Sequence, residues 1–160
     1  PLIIQAKHLL ALGNIDDIIV ANAFVDIEDL KKLINLQRDC IEFAVELKPE
    51  ISTIEKDVCL NKFHFNRGDI NEYVARSTFV KLEVKDEPIA PHEAYAAFSR
   101  GMVTLGNNNI GQYKGELNIV KKSIDNIDDG KNYLGTIIPE EQFLINYIKP
   151  WTKFSFKEVK

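Results

Sequence analysis

Arg100-Gly-Met-Val-Thr-Leu-Gly-Asn-Asn-Asn-Ile-Gly-Gln-Tyr-Lys-Gly-Glu-Leu-Asn-Ile-Val120 sets two β-like runs on either side of a polar turn. Gly and Asn tolerate positive φ, so a turn accounts for them. It does not account for Arg100, Tyr113 and Glu116 gathered around it. That surplus of recognition chemistry marks a binding surface carried on a sheet.

Outward from this stretch the pattern repeats. Val58-Cys-Leu60, Tyr73–Val84, Met102–Leu105, Leu117–Val120 and Tyr133–Ile138 are short and β-rich, with Gly, Asn, Asp or Pro in the gaps. Val80, Leu82 and Val84 alternate with Lys81 and Glu83, which reads as a sheet with one wet face. Phe154 and Phe156 alternate with Lys153 and Ser155 in an expected last strand. One helix interrupts the strands. Pro139 suits its first turn, Glu140 and Glu141 follow, Phe143, Leu144, Tyr147 and Ile148 form its stripe, and Pro150 stops it. Residues 57–160 therefore predict a small β-barrel with a helical lid.

The first 38 residues follow another rule. Ile3, Ile4, Ala6, Lys7, Leu9 and Leu10 fall at roughly helical spacing, and Gly13 supplies a stop. Asp17-Ile-Ile-Val-Ala21 is a short apolar run without alternation, as in a strand buried on both faces. Asp26 can cap a second helix whose first turn carries Glu28 and Asp29 and whose stripe is Ile27, Leu30, Leu33 and Ile34. Helix, buried strand, helix is one unit of an α/β fold, and one unit cannot cover its own strand. Residues 1–38 are read as the terminal unit of a truncated TIM-type barrel. Residues 39–56, with Glu42, Glu46, Lys48, Pro49 and Glu50 among scattered apolar groups, read as a connector or irregular edge. The fold class expected is α+β.

The totals narrow the function. The 160 residues suffice for about one domain with a real core. A net charge of −4 disfavours a general nucleic-acid role. No apolar run approaches the ~20 residues of a membrane helix, so no membrane partner is expected. Cys40 and Cys59 form no C-x-x-C pair and lack clustered His, which reads as two reduced thiols of a cytoplasmic protein, with no metal and no cofactor. The chain starts with Pro and no signal-peptide pattern precedes it, so it reads as a piece of something longer. No nucleophile elbow, H-E-x-x-H or dinucleotide fingerprint occurs.

Several motifs together resemble one bacterial family. They are Gly13-Asn-Ile-Asp-Asp-Ile-Ile-Val20 with Asn22-Ala-Phe24, His64-Phe-Asn-Arg67, Tyr73-Val-Ala-Arg-Ser-Thr78, Arg100-Gly101, Asn107-Asn108, Tyr113-Lys-Gly-Glu-Leu117 and Asn132-Tyr-Leu-Gly135, with the helix after Pro139. In order and spacing they resemble the C-terminal region of the 6-phospho-N-acetylmuramidase family, long filed as outer-surface or unknown-function proteins. The resemblance implies an N-terminal TIM-type barrel followed by a cyclophilin-like β-barrel, and glycoside hydrolysis in peptidoglycan recycling. Two positions depart from the family pattern: Met102 stands where an acidic residue usually follows Arg-Gly, and Gln112 where an Arg usually precedes the Tyr.

The implied ligand is a phosphorylated amino sugar with a lactyl carboxylate. An acidic chain must meet that charge locally. It has only four Arg, and Arg67, Arg76 and Arg100 lie in the matching motifs. A guanidinium fork binds carboxylate or phosphate in a planar, bidentate way that Lys does not, so these three are the expected anion clamp. Asn22 follows the presumed barrel strand at the end where such barrels hold their sites, and its amide suits a hydroxyl or acetamido group. Asn107, in a run explained by αL turn conformations, is a candidate loop-tip contact. Tyr113 and Glu116 are read as binding residues in a hydrogen-bonded corner. A glycosidase needs paired carboxylates, and Glu116 has no evident partner in its segment, so no catalytic residue is assigned to this chain. His64, between Phe63 and Phe65, is read as packed or capping, and His92 as solvated. The expected function is phosphosugar recognition within a hydrolase. The alternative is a non-catalytic β-barrel that binds a partner or forms a homodimer through the uncovered Ile18-Ile-Val20 ribbon. Prolyl isomerase activity would rest on fold likeness alone.

Overall fold

A computed structural model describes residues 2–21 and 24–159. In chain order the elements are α1 (Leu2–Ala11), α2 (Ile27–Ile34), β1 (Cys40–Leu47), α3 (Thr53–Asn61), β2 (His64–Phe65), β3 (Val74–Ser77), α4 (Val80–Glu83), β4 (Ala97–Phe98), β5 (Met102–Gly106), β6 (Leu117–Val120), β7 (Ile124–Asp125), β8 (Lys131–Ile137) and β9 (Lys153–Glu158). Three 3-10 segments, Asn108–Tyr113, Ile127–Asp129 and Pro139–Tyr147, complete it.

Seven strands form one sheet in the order β2-β9-β1-β8-β5-β6-β3. Only β1 and β9 run parallel; the other pairs are antiparallel. The two outer strands curl toward each other. The Arg67 amide donates to the Arg76 carbonyl at 2.8 Å, just past β2, and His64 of β2 bonds Ser77 of β3. The sheet is thus a nearly closed barrel, and the α+β cyclophilin-like class expected from the sequence is the observed one. Its interior holds Phe43, Val45, Val103, Leu105, Leu117, Ile119, Leu134, Ile137 and Phe154, plugged by Leu144 and Ile145 of the segment after Pro139.

The expected β5, β6, β8 and β9 are present, and Pro139–Tyr147 is helical, although of the 3-10 kind. Four local readings are corrected. Cys40–Leu47, expected as connector or irregular edge, is a strand in the middle of the sheet, between β8 and β9. Val58–Leu60 lies in α3, not a strand; Ser52 and Glu55 form a reciprocal capping box that starts the helix. Val80–Val84 is a single helical turn that buries Val80 and Val84 one turn apart and leaves Leu82 exposed. Asp17–Ala21 joins no sheet among the described residues, and Ile19 is exposed.

α1 and α2 form as read, with Asp26 accepting from the Glu28 amide at the α2 N-cap. α1 is fastened to the barrel by Lys7, which reaches Glu141 at 2.7 Å and Glu42 at 3.6 Å, and by His8, 2.7 Å from the Tyr147 hydroxyl. No helix among the described residues is long and apolar enough to cross a membrane.

Candidate functional site

Strand alternation gives the barrel wall two different faces. Along β3, β6 and β5, Ala75, Ser77, Leu117, Ile119, Val103 and Leu105 point inward, so the residues between them point outward. The outward set is Val74, Arg76, Asn118, Val120 and Thr104. Register places Arg76 opposite Asn118, Asn118 opposite Thr104, and Thr104 opposite Tyr133, one polar row across four strands. This outer face is not open to water. Val120, Asn118 and Thr104 are fully buried, and Phe98 of β4 is buried with them outside the main core.

Between the outer face and its cover lies a cavity of about 340 Å³. Val74, Arg76 and Asn118 form its floor, and Ile110, Tyr113, Glu116, Asp125, Ile127 and Lys131 its walls. The Tyr113–Glu116 corner fixes one wall. Lys114 (φ −55°, ψ 131°) and Gly115 (φ +78°) take the two central positions of a type II turn, closed by the Glu116 amide on the Tyr113 carbonyl at 3.0 Å. Only glycine takes that second conformation without strain. The turn places Tyr113 half-exposed at the rim and buries Glu116, whose carboxylate accepts from the Thr78 hydroxyl at 3.1 Å.

The charges are balanced against one another. Asp69 bridges two arginines, 3.2 Å from Arg67 Nε and bonded to Arg76 Nη2. Burial holds the Lys131 ammonium below the usual lysine range; the Glu116 carboxylate opposes that shift, and the Arg76 charge adds to it. Three buried side-chain polar atoms lack a hydrogen-bond partner among the described residues: Arg76 Nε, Asn118 Oδ1 and Thr104 Oγ1. All three belong to the one polar row.

The sequence-derived candidates separate into groups. Arg76, Tyr113 and Glu116 line the cavity, and Arg67 stands beside Arg76 through Asp69. Arg100 is elsewhere. Its guanidinium is committed to the carbonyls of Lys121 and Gln142 and to Asn146 Oδ1, so it ties strand ends to the segment after Pro139 rather than offering a clamp. Asn107 is no loop tip: it is fully buried, donates to the Asp129 carbonyl and Asn132 Oδ1, and accepts from the Asn109 amide. The asparagine run takes no left-handed conformation; the positive φ angles lie at Asp128 and Asp129 across the loop. Asn22 lies outside the described residues. Asn118 and Lys131 were missed, since strand register alone brings them to the cavity.

The two histidines divide as well. His64 is packed, as read: Nε2 donates to the Val58 carbonyl, Nδ1 accepts from the Ser77 hydroxyl, and burial lowers its pKa. His92 is partly exposed but not merely solvated. Its Nε2 is 2.8 Å from the carboxylate of buried Glu55. Burial would raise that carboxyl's pKa, but hydrogen bonds from Ser52, Asn132 and His92 outweigh it and hold it below the usual range. Among the described residues no group of three His, Cys, Asp or Glu could hold a metal ion.

Fold and site together define an α+β protein whose barrel carries a polar cavity on its outer face. Residues 41–157 match the family described as 6-phospho-N-acetylmuramidase, C-terminal, and the chain belongs to that family. Among solved structures, an uncharacterized B. cereus protein superposes with a TM-score of 0.91 at 44% identity, covering 98% of this chain and 44% of that one. A conserved Enterococcus faecalis protein of unknown function superposes at 0.67 with 22% identity, covering 98% and 41%, a likeness of fold alone. The chain thus spans less than half of either relative. No functionally curated protein matches it.

Proposed function

We propose that this chain is the sugar-recognising part of a glycoside hydrolase that acts on 6-phospho-N-acetylmuramic-acid-containing disaccharides during cytoplasmic peptidoglycan recycling. Family membership supports the enzyme class. The observation that carries the recognition role is the convergence of Arg76 on β3 with Tyr113 and Glu116 of one distant turn on a single cavity that Asn118 and Lys131 also line. Arg67 pairs with Asp69 through Nε and its side chain is half-exposed, which leaves its outer N–H groups available to an anion beside Arg76. Tyr113 offers a ring face and a hydroxyl to a sugar. The carboxylates that cleave the bond are assigned to residues outside this chain, and the chain alone is expected to release no sugar from a phosphorylated disaccharide.

Calorimetric titration with N-acetylmuramic acid 6-phosphate tests the reading. Arg67→Ala and Arg76→Ala should each weaken binding about tenfold or more, with an effect that shrinks as salt rises. Unchanged affinity in both variants would remove the reading. The alternative, a module that associates with itself, is favoured by the exposed Ile19, Phe24, Ile27 and Ile34 on the first 38 residues. A concentration-dependent dimer with no sugar affinity would select it.

A further inference from the structure

The His64-Phe-Asn-Arg67 motif does more than pack a histidine. Asn66 is buried and works in two directions. Its Oδ1 accepts from the Arg76 amide at 2.9 Å, which fixes the cavity floor. Its Nδ2 donates to the Lys149 carbonyl at 3.1 Å. Its own amide donates to the Thr152 carbonyl at 2.9 Å, and its carbonyl accepts from the Trp151 amide at 3.0 Å. One residue thus braces Arg76 together with the turn that leads into β9.

That turn is strained. The Thr152 amide donates to the Lys149 carbonyl at 3.1 Å, Pro150 takes the first central position, and Trp151 takes the second at φ +65°. Proline followed by a positive φ makes a type II turn, whose second central residue is ordinarily glycine. A bulky residue there is an outlier held by its surroundings, and such strain collects at functional sites. Core packing does not explain it, because Trp151 is 61% exposed. The indole lies against Gly68, where a Cβ would collide with it, and its centroid is 6.0 Å from that of Phe65, which Phe79 backs in turn. The ring is supported from beneath and open to an incoming partner.

Position and chemistry select that partner. Gly68 sits between Arg67 and Asp69, so the indole adjoins the bridged arginines beside the cavity. Trp151 also borders a cleft of about 290 Å³ with Gln37, Asp39 and Lys153. An apolar ring among hydrogen-bonding side chains matches a pyranose, whose C–H faces are apolar and whose hydroxyl edge is polar. A cavity of about 340 Å³ takes one sugar ring, and a disaccharide has a second to place.

We infer that Trp151 is the stacking platform for the second ring of the disaccharide, the one joined to the phosphosugar, held beside Arg67 by the Asn66 brace. This rests on the sugar reading above for the choice of ligand and adds a separate place where the neighbouring ring is bound.

Trp151 is the chain's only tryptophan, so intrinsic fluorescence reports on this position alone. The full chain is titrated with N-acetylmuramic acid 6-phosphate and with the disaccharide that joins this sugar to N-acetylglucosamine. The disaccharide should move the emission to shorter wavelength and shield it from acrylamide, and the monosaccharide should do neither. By calorimetry, Trp151→Gly, which suits the turn and removes the ring, should weaken the disaccharide about tenfold and leave the monosaccharide as in wild type. If that variant does not fold, the wild-type emission decides alone. Unchanged emission with bound disaccharide, or unchanged disaccharide affinity in folded Trp151→Gly, overturns the platform and leaves the sugar reading standing. An emission shift that follows protein concentration without sugar makes the ring a contact between copies and overturns the platform as well. No calorimetric binding of either sugar removes both.

Discussion

Lys7→Met offers the most direct test of how the first helix is joined to the barrel. The Lys7 ammonium is 2.7 Å from Glu141, and the two side chains are 7% and 3% exposed. Glu141 uses both oxygens: one accepts from Lys7, the other from the Ala44 amide of β1 at 2.7 Å. Replacing Lys7 by a side chain of similar length keeps the packing and strands the carboxylate. Breaking a buried pair from one side costs about 3–5 kcal/mol, because the remaining charge has no compensation. For a chain of this size that is a fall in Tm on the order of 10 °C. The double variant Lys7→Met, Glu141→Gln removes both charges yet keeps an oxygen for the Ala44 N–H, so it should recover most of the loss. Urea denaturation of wild type, the two single variants and the double closes the cycle. A cost below about 1 kcal/mol for Lys7→Met would mean the pair behaves as a solvated surface pair. A double variant as unstable as Lys7→Met would assign the loss to the packing of the lysine stem rather than to stranded charge.

Gly115→Ala should cost about 2 kcal/mol or more by urea denaturation, since alanine is disfavoured at φ +78° and its Cβ would meet Val84 Cγ2 at 2.7 Å. Gly13→Ala, at φ +76° but with nothing within 4 Å of a Cβ, is the matched control for the clash and should cost less. Burial depresses the His64 pKa below the unfolded value near 6.5, so the unfolded chain binds the extra proton first. Its contribution is complete above about pH 6.5 and is lost as pH falls toward the folded value, at up to about 1.4 kcal/mol per pH unit; His64→Gln should flatten that part of the stability profile. Cys59 is wholly buried and its thiol is pushed up to about 12, so iodoacetamide at pH 8 should modify Cys40 first and reach Cys59 only on unfolding, read by mass spectrometry.

What the sequence disclosed of the fold depended on how many kinds of order could explain one pattern. The strands at Met102–Gly106 and Leu117–Val120 were legible because a Gly- and Asn-rich turn bounds them. Val80, Leu82 and Val84 satisfy a period of two, but Val80 and Val84 alone satisfy a period of four, and the helical turn uses only those two. Ser52-Thr-Ile-Glu55 is a capping-box signature that outweighs the β-branched look of Val58-Cys-Leu60. Ile41, Phe43 and Val45 alternate with Glu42, Ala44 and Glu46, a strand signal hidden by its acidic spacers. One of those spacers is not simply a wet-face residue: Glu42 stands 3.6 Å from Lys7.

The site was legible only where a residue type is itself unusual. Arg76, Tyr113 and Glu116 stand out by chemistry in an Arg-poor chain, and they converge. Arg100 stands out equally, yet its guanidinium serves three structural acceptors. Residue type names the hydrogen bonds a side chain can make and says nothing about how many are already used. Asn118 shows the converse. It is one of thirteen asparagines, unremarkable until register sets it between Arg76 and Thr104 on a covered face. A one-residue slip of β6 would turn Asn118 into the barrel and expose Leu117 and Ile119 to the cavity. The same alternation that fills the core with leucine and isoleucine therefore fixes the polar row, and the polar chemistry of the outer face comes with the core packing rather than in addition to it.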